Sequence, residues 1–242
     1  MNRSALDPSL PPGPYAVPVS AMGSLRVACR AASPVWSPVA AQVARLGLVS
    51  GWQVRRLLGR ASDRTLPGRL VRAGILTAYT VEGAPLPPLY GGGPPAAWPP
   101  WDGLTAVNQV VANLLLVRLL SLGPLRGQAF WTVYGCGVQI LWRDQRFTVV
   151  SFREGGEEEN RFEEFLRLYR PGDGRTVVVA AGVGQLGRLA ARARRRSWPV
   201  RLTWDGALYH LPLARAFCRV GDDGPEPVLM RGLGAEDDGR RW

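Results

Sequence analysis

The chain has 242 residues, 46% of them hydrophobic, and a formal charge of +11, which allows two modest domains, each able to bury a core. All 30 basic residues are arginine, which excludes a lysine nucleophile, a Schiff base and a lysine general base; the single histidine, His210, limits imidazole chemistry. Cys29, Cys136 and Cys218 are far apart, with no CxxC and no histidine pair, so reduced thiols are expected rather than a structural zinc site.

Residues 1–32 carry five prolines before Ser20 and are expected to be mostly disordered, with 25–32 adding a short strand or helix to the first domain. The start lacks the charged-then-apolar pattern of a leader, and no run is expected to serve as a membrane span of ~18 apolar residues. The expectation is a soluble cytoplasmic protein with no membrane partner.

Residues 33–90 read as a winged helix-turn-helix: three short helices and a β-hairpin. Ser33-Pro34 places a capping hydroxyl before a proline at the first helical position. Ser50 caps a second helix over 51–58, and Ser62 a third over 63–73, with Asp63 in its first turn. Gly47, Gly59 and Gly74 close the three helices as residues able to take positive φ. The wing is a strand over 75–81, a turn at Glu82-Gly83-Ala84-Pro85, and a return strand over 86–90 that Pro87 and Pro88 confine to an edge. Seven arginines against Asp63 and Glu82 give this stretch a net +5. Arg64, Arg69 and Arg72 project from the third helix, away from Leu66, Leu70 and Val71, as a recognition helix requires. Arg55, Arg56 and Arg60 complete the set expected on DNA phosphates. The alternative is a helical protein-interaction module with solvated arginines.

Residues 91–104, rich in Gly, Pro and Trp, read as a linker in which Trp98 and Trp101 dock on a neighbouring surface. Thr105 caps a long helix over 106–122 with apolar residues on more than one face. It serves either as a homodimer contact or as a central helix bridging two domains.

Residues 124–215 read as a small mixed-sheet α/β domain. Strands are expected over 129–134, 138–142, 146–152, 176–181 and 200–204, with a hairpin turn at Arg143-Asp144-Gln145 and a short last strand over 207–211. Helices are expected over 157–169 and 186–196. The continuous apolar strand over 176–181 is of the type buried on both faces. Residues 216–242 are expected to be a disordered tail.

Two features of this half carry chemistry. Gly182-Val183-Gly184-Gln185-Leu186-Gly187 is a G-x-G-x-x-G turn between strand and helix, with Asp205 ending the next strand. Gly182, Gly184, Gly187 and Asp205 are therefore candidates for a pyrophosphate and a ribose hydroxyl, although a dinucleotide fold requires further parallel strands. The run Arg192, Arg194, Arg195 and Arg196, with Arg201, either complements a helix C-terminus or extends a phosphate-contacting surface. Glu154, Glu157, Glu158, Glu159, Glu163 and Glu164 could attract a metal, but the stronger reading is acids at a helix start on a solvated face.

Ser151-Phe152-Arg153-Glu154-Gly155-Gly156-Glu157, followed by Arg161 and Tyr169, resembles the signature Glu-x-Asp-Arg-Gly-Thr-Glu of the replication-relaxation family of plasmid and mobile-element proteins. Gly155, Glu157, Arg161 and Tyr169 match by type, and the order of elements over about 40–215 is similar. The resemblance implies a winged helix-turn-helix joined to a restriction-endonuclease-like domain. It also implies a metal-binding acid pair and a lysine if that domain cuts DNA. Here Ser151 replaces the second-strand acid and no lysine exists, so the domain is read as degenerate, without catalytic residues, metal or cofactor.

The expected function is duplex DNA binding without catalysis, in mobile-element replication or maintenance or in transcriptional regulation. The C-terminal domain would engage a protein partner. Nucleotide binding at Gly182–Gly187 is the alternative, and a metal-dependent nuclease the third reading.

Overall fold

The computed structural model describes residues 4–29, 37–92, 102–121, 129–134, 137–142, 145–153 and 174–229. Within them the chain is mixed α and β, with six α-helices and two sheets. The expected helix over 157–169, the signature residues Glu154 to Tyr169, Ser33-Pro34, Trp98, Trp101 and the final residues 230–242 lie outside the described residues.

The first unit follows the local grammar closely. α1 (Pro38–Leu46) begins at Ser37, whose hydroxyl accepts the Ala40 N–H at 3.1 Å, with proline at the first helical position. β2 (Leu48–Ser50) leads directly into α2 (Gly51–Leu57) through a reciprocal cap. Ser50 Oγ accepts the Gln53 N–H at 3.1 Å, and Gln53 Oε1 accepts the Ser50 N–H at 2.7 Å. α3 (Leu66–Arg72) is shorter than the expected 63–73. Asp63 precedes it, accepting the N–H and hydroxyl of Thr65, so residues 60–65 form turns rather than a first helical turn. Gly47, Gly59 and Gly74 all hold positive φ, as the helix endings require.

β3 (Leu76–Val81) and β4 (Leu89–Gly92) form the hairpin, with Tyr79 opposite Leu89. β2 pairs with β4, and β1 (Leu25–Cys29) pairs with β3 through a bulge between Val27 and Cys29. The four-stranded sheet thus runs β1-β3-β4-β2, antiparallel throughout. Gly92 lets α1 lie directly on β4: a Cβ there would collide with the Ala40 carbonyl oxygen and the Ala44 nitrogen.

The second sheet has seven strands in chain order. β5 (Ala129–Tyr134), β6 (Gly137–Trp142) and β7 (Gln145–Phe152) form an antiparallel meander. β8 (Gly174–Ala180) and β9 (Val200–Trp204) continue parallel to β7, joined to each other by α5 (Val183–Arg195). β8 is apolar and buried from Val177 to Ala180 because neighbours cover both its faces. α6 (Asp205–His210) occupies the stretch expected to be a last strand. β10 (Phe217–Val220) and β11 (Pro225–Val228) close the sheet antiparallel. They replace part of the expected disordered tail. Pro225 and Pro227 are accommodated because β11 is an edge strand, where a missing N–H costs no ladder bond.

α4 (Gly103–Ser121) lies between the two sheets, packed on α2 and β2 on one side and on β6 and β7 on the other. Asp102, not Thr105, caps it: its carboxylate accepts the Thr105 N–H and hydroxyl, each at 2.8 Å. By length and composition this helix could cross a membrane, against the sequence expectation, but it is buried inside the fold. Its polar residues stitch the units together. Asn113 Nδ2 donates to the carbonyls of Leu46 (2.6 Å) and Leu48 (3.0 Å), and Arg118 to those of Leu208 (2.7 Å) and Leu211 (2.9 Å). Gln53 Nε2 donates to the Val110 carbonyl at 2.7 Å. The expected homodimer contact through residues 105–122 therefore finds its faces already covered by the same chain. One hydrophobic core runs through both units.

The N-terminal segment is also a correction. Ala5, Leu10 and Tyr15 are buried, and Trp204 Nε1 donates to the Ala5 carbonyl at 2.7 Å. Prolines do not need a hydrogen-bonding ladder to pack, and apolar anchors five residues apart fix this strap on β9 and α6. Gly13 sits where a Cβ would collide with that of Asp205.

Candidate nucleic-acid interface

The arginines expected on DNA lie on α2, α3 and the turn between them. Arg60, Arg64, Arg69 and Arg72 are exposed, while Arg55 and Arg56 are half-buried. On α3, Pro67 and Val71 face the core, and Gly68, Arg69 and Arg72 line the outer face at helical spacing. Arg69 pairs with Asp63, which lies in the same unit. The Thr65 hydroxyl and then the Arg69 charge hold the Asp63 carboxyl below the ordinary range. None of the three arginines expected on the recognition helix is packed beneath the second sheet.

Arg55 and Arg56 are held differently. Arg55 Nε donates to the Gly51 carbonyl at 3.3 Å. The Arg56 guanidinium lies over the Trp52 ring, 5.3 Å from its centroid, and Trp52 meets Tyr209 of α6 edge to face at 5.4 Å. A groove of about 370 Å³ opens beside α3, lined among others by Arg55, Arg64, Trp52, Pro67, Tyr90 and Tyr209. Burial raises the Tyr90 hydroxyl pKa, against the pull of Arg55. The β3–β4 hairpin contributes no arginine: Glu82, at the start of its turn, accepts from Arg26 of β1 at 2.5 Å. Within residues 37–92 every arginine but Arg45 therefore lies on α2, α3 or the turn between them.

On the second sheet the structure separates the candidates. Ser151, at the position where the resemblance expects an acid, donates to Asn108 Oδ1 of α4 at 3.0 Å. Arg153, just past β7, donates through Nη2 to Asp205 Oδ2 at 2.8 Å, and both side chains are at most 1% exposed. Burial holds the Asp205 carboxyl above its ordinary range, against the pull of Arg153. Asp205 is therefore committed to a buried ion pair and is not placed to hold a ribose. The sequence missed this pairing because its partners are 52 residues apart and no local pattern joins them.

The glycine motif is also corrected in its details. Gly182, Gly184 and Gly187 have no positive φ, and a Cβ at any of them would meet nothing within 4 Å. Neither a sharp turn nor close helix–strand packing requires glycine there. Gly182 and Gly184 line a cavity of about 920 Å³ that also includes Arg153 and Arg188. Arg194 and Arg195 are exposed at the far end of α5, and Arg196 lies over Trp198. Among the described residues no group of three or more His, Cys, Asp or Glu could hold a metal. No protein-family model, curated protein or solved structure matches this chain.

Proposed function

We propose that residues 37–92 form a winged helix-turn-helix that grips duplex DNA, with α3 as its recognition helix. The observation that carries this reading is the exposed arginine corner of Arg60, Arg64, Arg69 and Arg72 on a helix–strand–helix–helix–hairpin frame. Guanidinium forks there can reach phosphates and guanine edges, while the opposite side of α3 is anchored by Pro67 and Val71. Arg55 and Arg64 flank the adjoining groove and supply phosphate contacts. The overall +11 charge favours a polyanionic partner.

The replication-relaxation resemblance rests on the order strand, hairpin, acid-rich helix, strand, helix, strand after the long helix; apart from the acid-rich helix, which lies outside the described residues, the elements after α4 come in that order. That order supports a mobile-element replication or maintenance factor or a transcription regulator, in the bacterial cytoplasm. The degenerate endonuclease-like sheet then acts as a rigid support fused to the DNA-binding unit through α4. Non-catalytic binding is favoured because Ser151 and Arg153 are engaged in structural contacts with Asn108 and Asp205.

The test is duplex binding by the full chain, followed by anisotropy across a salt series. Arg64→Glu with Arg72→Glu should weaken binding at least tenfold. The slope of log K against log salt should fall by about 0.9 for each phosphate that the variant no longer neutralises. Unchanged affinity and slope would remove α3 from the interface. Supercoiled plasmid incubated with Mg²⁺ or Mn²⁺ should remain uncut; nicking would replace this reading with the nuclease one.

A further inference from the structure

The groove of about 370 Å³ beside α3 is lined by aromatic rings as well as by charge. Tyr90 of β4 and Trp52 of α2, both half-buried, line it together with the buried Tyr209 of α6. Pro67, in the first turn of α3, and the exposed Pro88, just before β4, add apolar surface. Gly51 permits this arrangement. A Cβ there would lie 3.3 Å from the Tyr90 ring and 3.4 Å from Pro67, so both rings close on the start of α2.

Two guanidinium groups share the groove. Arg55 donates through Nε alone, to the Gly51 carbonyl, and Arg64 is exposed, with no side-chain hydrogen bond or ion pair among the described residues. The described lining holds no carboxylate. Two like charges therefore share a cleft whose described lining supplies no counter-ion, which favours an anionic occupant. Rings and guanidinium groups together suit one chemistry. An aromatic ring stacks on a nucleobase of any sequence, and an arginine takes the phosphate beside it. Bases inside a duplex already stack on one another, so only an unpaired or extruded nucleotide has a face to offer. Arg64 belongs both to the groove and to the exposed arginine corner, so a strand held on α3 can pass its next unpaired base into the groove.

Resting on the DNA-binding reading of α3, we propose that this groove receives an unpaired nucleotide next to the bound duplex. Its base lies against Tyr90 and Trp52, and its phosphate on Arg55 and Arg64. The preferred DNA is then a duplex that ends in, or opens into, a single strand.

The full chain is titrated by fluorescence anisotropy against a blunt duplex, the same duplex with a short thymine extension on either strand, and the same extensions made abasic. At least one thymine extension should raise affinity about tenfold, the size of a single base–aromatic stacking contact, and its abasic counterpart should not. Tyr90→Leu keeps apolar bulk in the sheet but no ring; it should remove the gain and leave blunt-duplex affinity unchanged. Tyr90→Phe should retain the gain. Pro88→Glu changes an exposed position before β4, so it should fold, and it should also remove the gain by placing a carboxylate in the lining. Equal affinity for blunt and extended duplexes would overturn the proposal while leaving α3 as the duplex interface. So would a gain that survives the abasic replacement, or that persists in Tyr90→Leu or Pro88→Glu. Absence of any binding to the blunt duplex would overturn the α3 reading itself, and this proposal with it.

Discussion

Replacing Arg153 by methionine tests whether the buried ion pair organises the end of the second sheet. The pair is closed to water, with Nη2 and Oδ2 2.8 Å apart, so the substitution leaves the Asp205 carboxylate in the interior without its counter-charge. Removing one partner of such a pair costs about 3–5 kcal/mol. For a chain of this size that corresponds to a fall in Tm of roughly 6–20 °C. The pH dependence has a definite sign. Burial already raises the Asp205 pKa in the native protein, and losing Arg153 removes the two influences that lower it. A carboxyl with a raised folded pKa contributes stability that is fully present below the unfolded value. That stability is lost as pH rises through the folded pKa, by about 1.4 kcal/mol per pH unit within that window. The deficit of Arg153→Met should therefore be large at neutral pH and shrink on acidification. Arg153→Met with Asp205→Asn should recover much of the loss at neutral pH, because no buried charge remains. Urea unfolding followed by tryptophan fluorescence, with the double-mutant cycle repeated across the acid range, measures all three quantities. A single variant within about 1 kcal/mol of wild type at neutral pH, or a deficit that does not shrink in acid, would refute the reasoning.

Three further outcomes follow from other parts of the fold. Gln53→Leu removes half of the α2 capping box and the bond to the Val110 carbonyl, and should cost about 2–3 kcal/mol by chemical denaturation. Gly92→Ala pushes a methyl into the backbone of α1, where no flexible side chain can yield; about 1–3 kcal/mol of stability should be lost. Cys218 is buried and its thiol pKa is pushed up to about 12, whereas Cys29 is exposed. Peptide mapping after alkylation at pH 8 should find Cys29 modified in the native protein and Cys218 only after unfolding. Rapid native labelling of Cys218 would contradict its place in the core.

The first unit was legible because its determinants are local. Ser50 sits within three residues of the N–H group it caps, and Gly47, Gly59 and Gly74 answer for their own φ, whereas the first helix is capped by Ser37 before Pro38 and not by the similar Ser33-Pro34 pair read from the sequence. Proline blurred the reading in both directions. Pro67 and the Asp63–Thr65 turn shortened α3, and the prolines of the N-terminal strap and of β11 concealed segments that pack. The arginine corner was visible as composition, but its exposure depends on which side of α3 the core claims.

By itself, the sequence determined the glycine endings of the first three helices and the core strands β5 to β9, since positive-φ glycines and apolar patterning act over a few residues. The tertiary structure decided everything that joins distant residues. It placed α4 between two sheets, so that a helix apolar on all sides becomes shared core. It set Asp205 against Arg153, turning a candidate ribose ligand into a buried counter-ion. It brought a strap from the N-terminus over the start of α5. The physical reason is that burial and charge pairing are fixed by which surfaces meet across long stretches of chain, and no local pattern encodes that meeting.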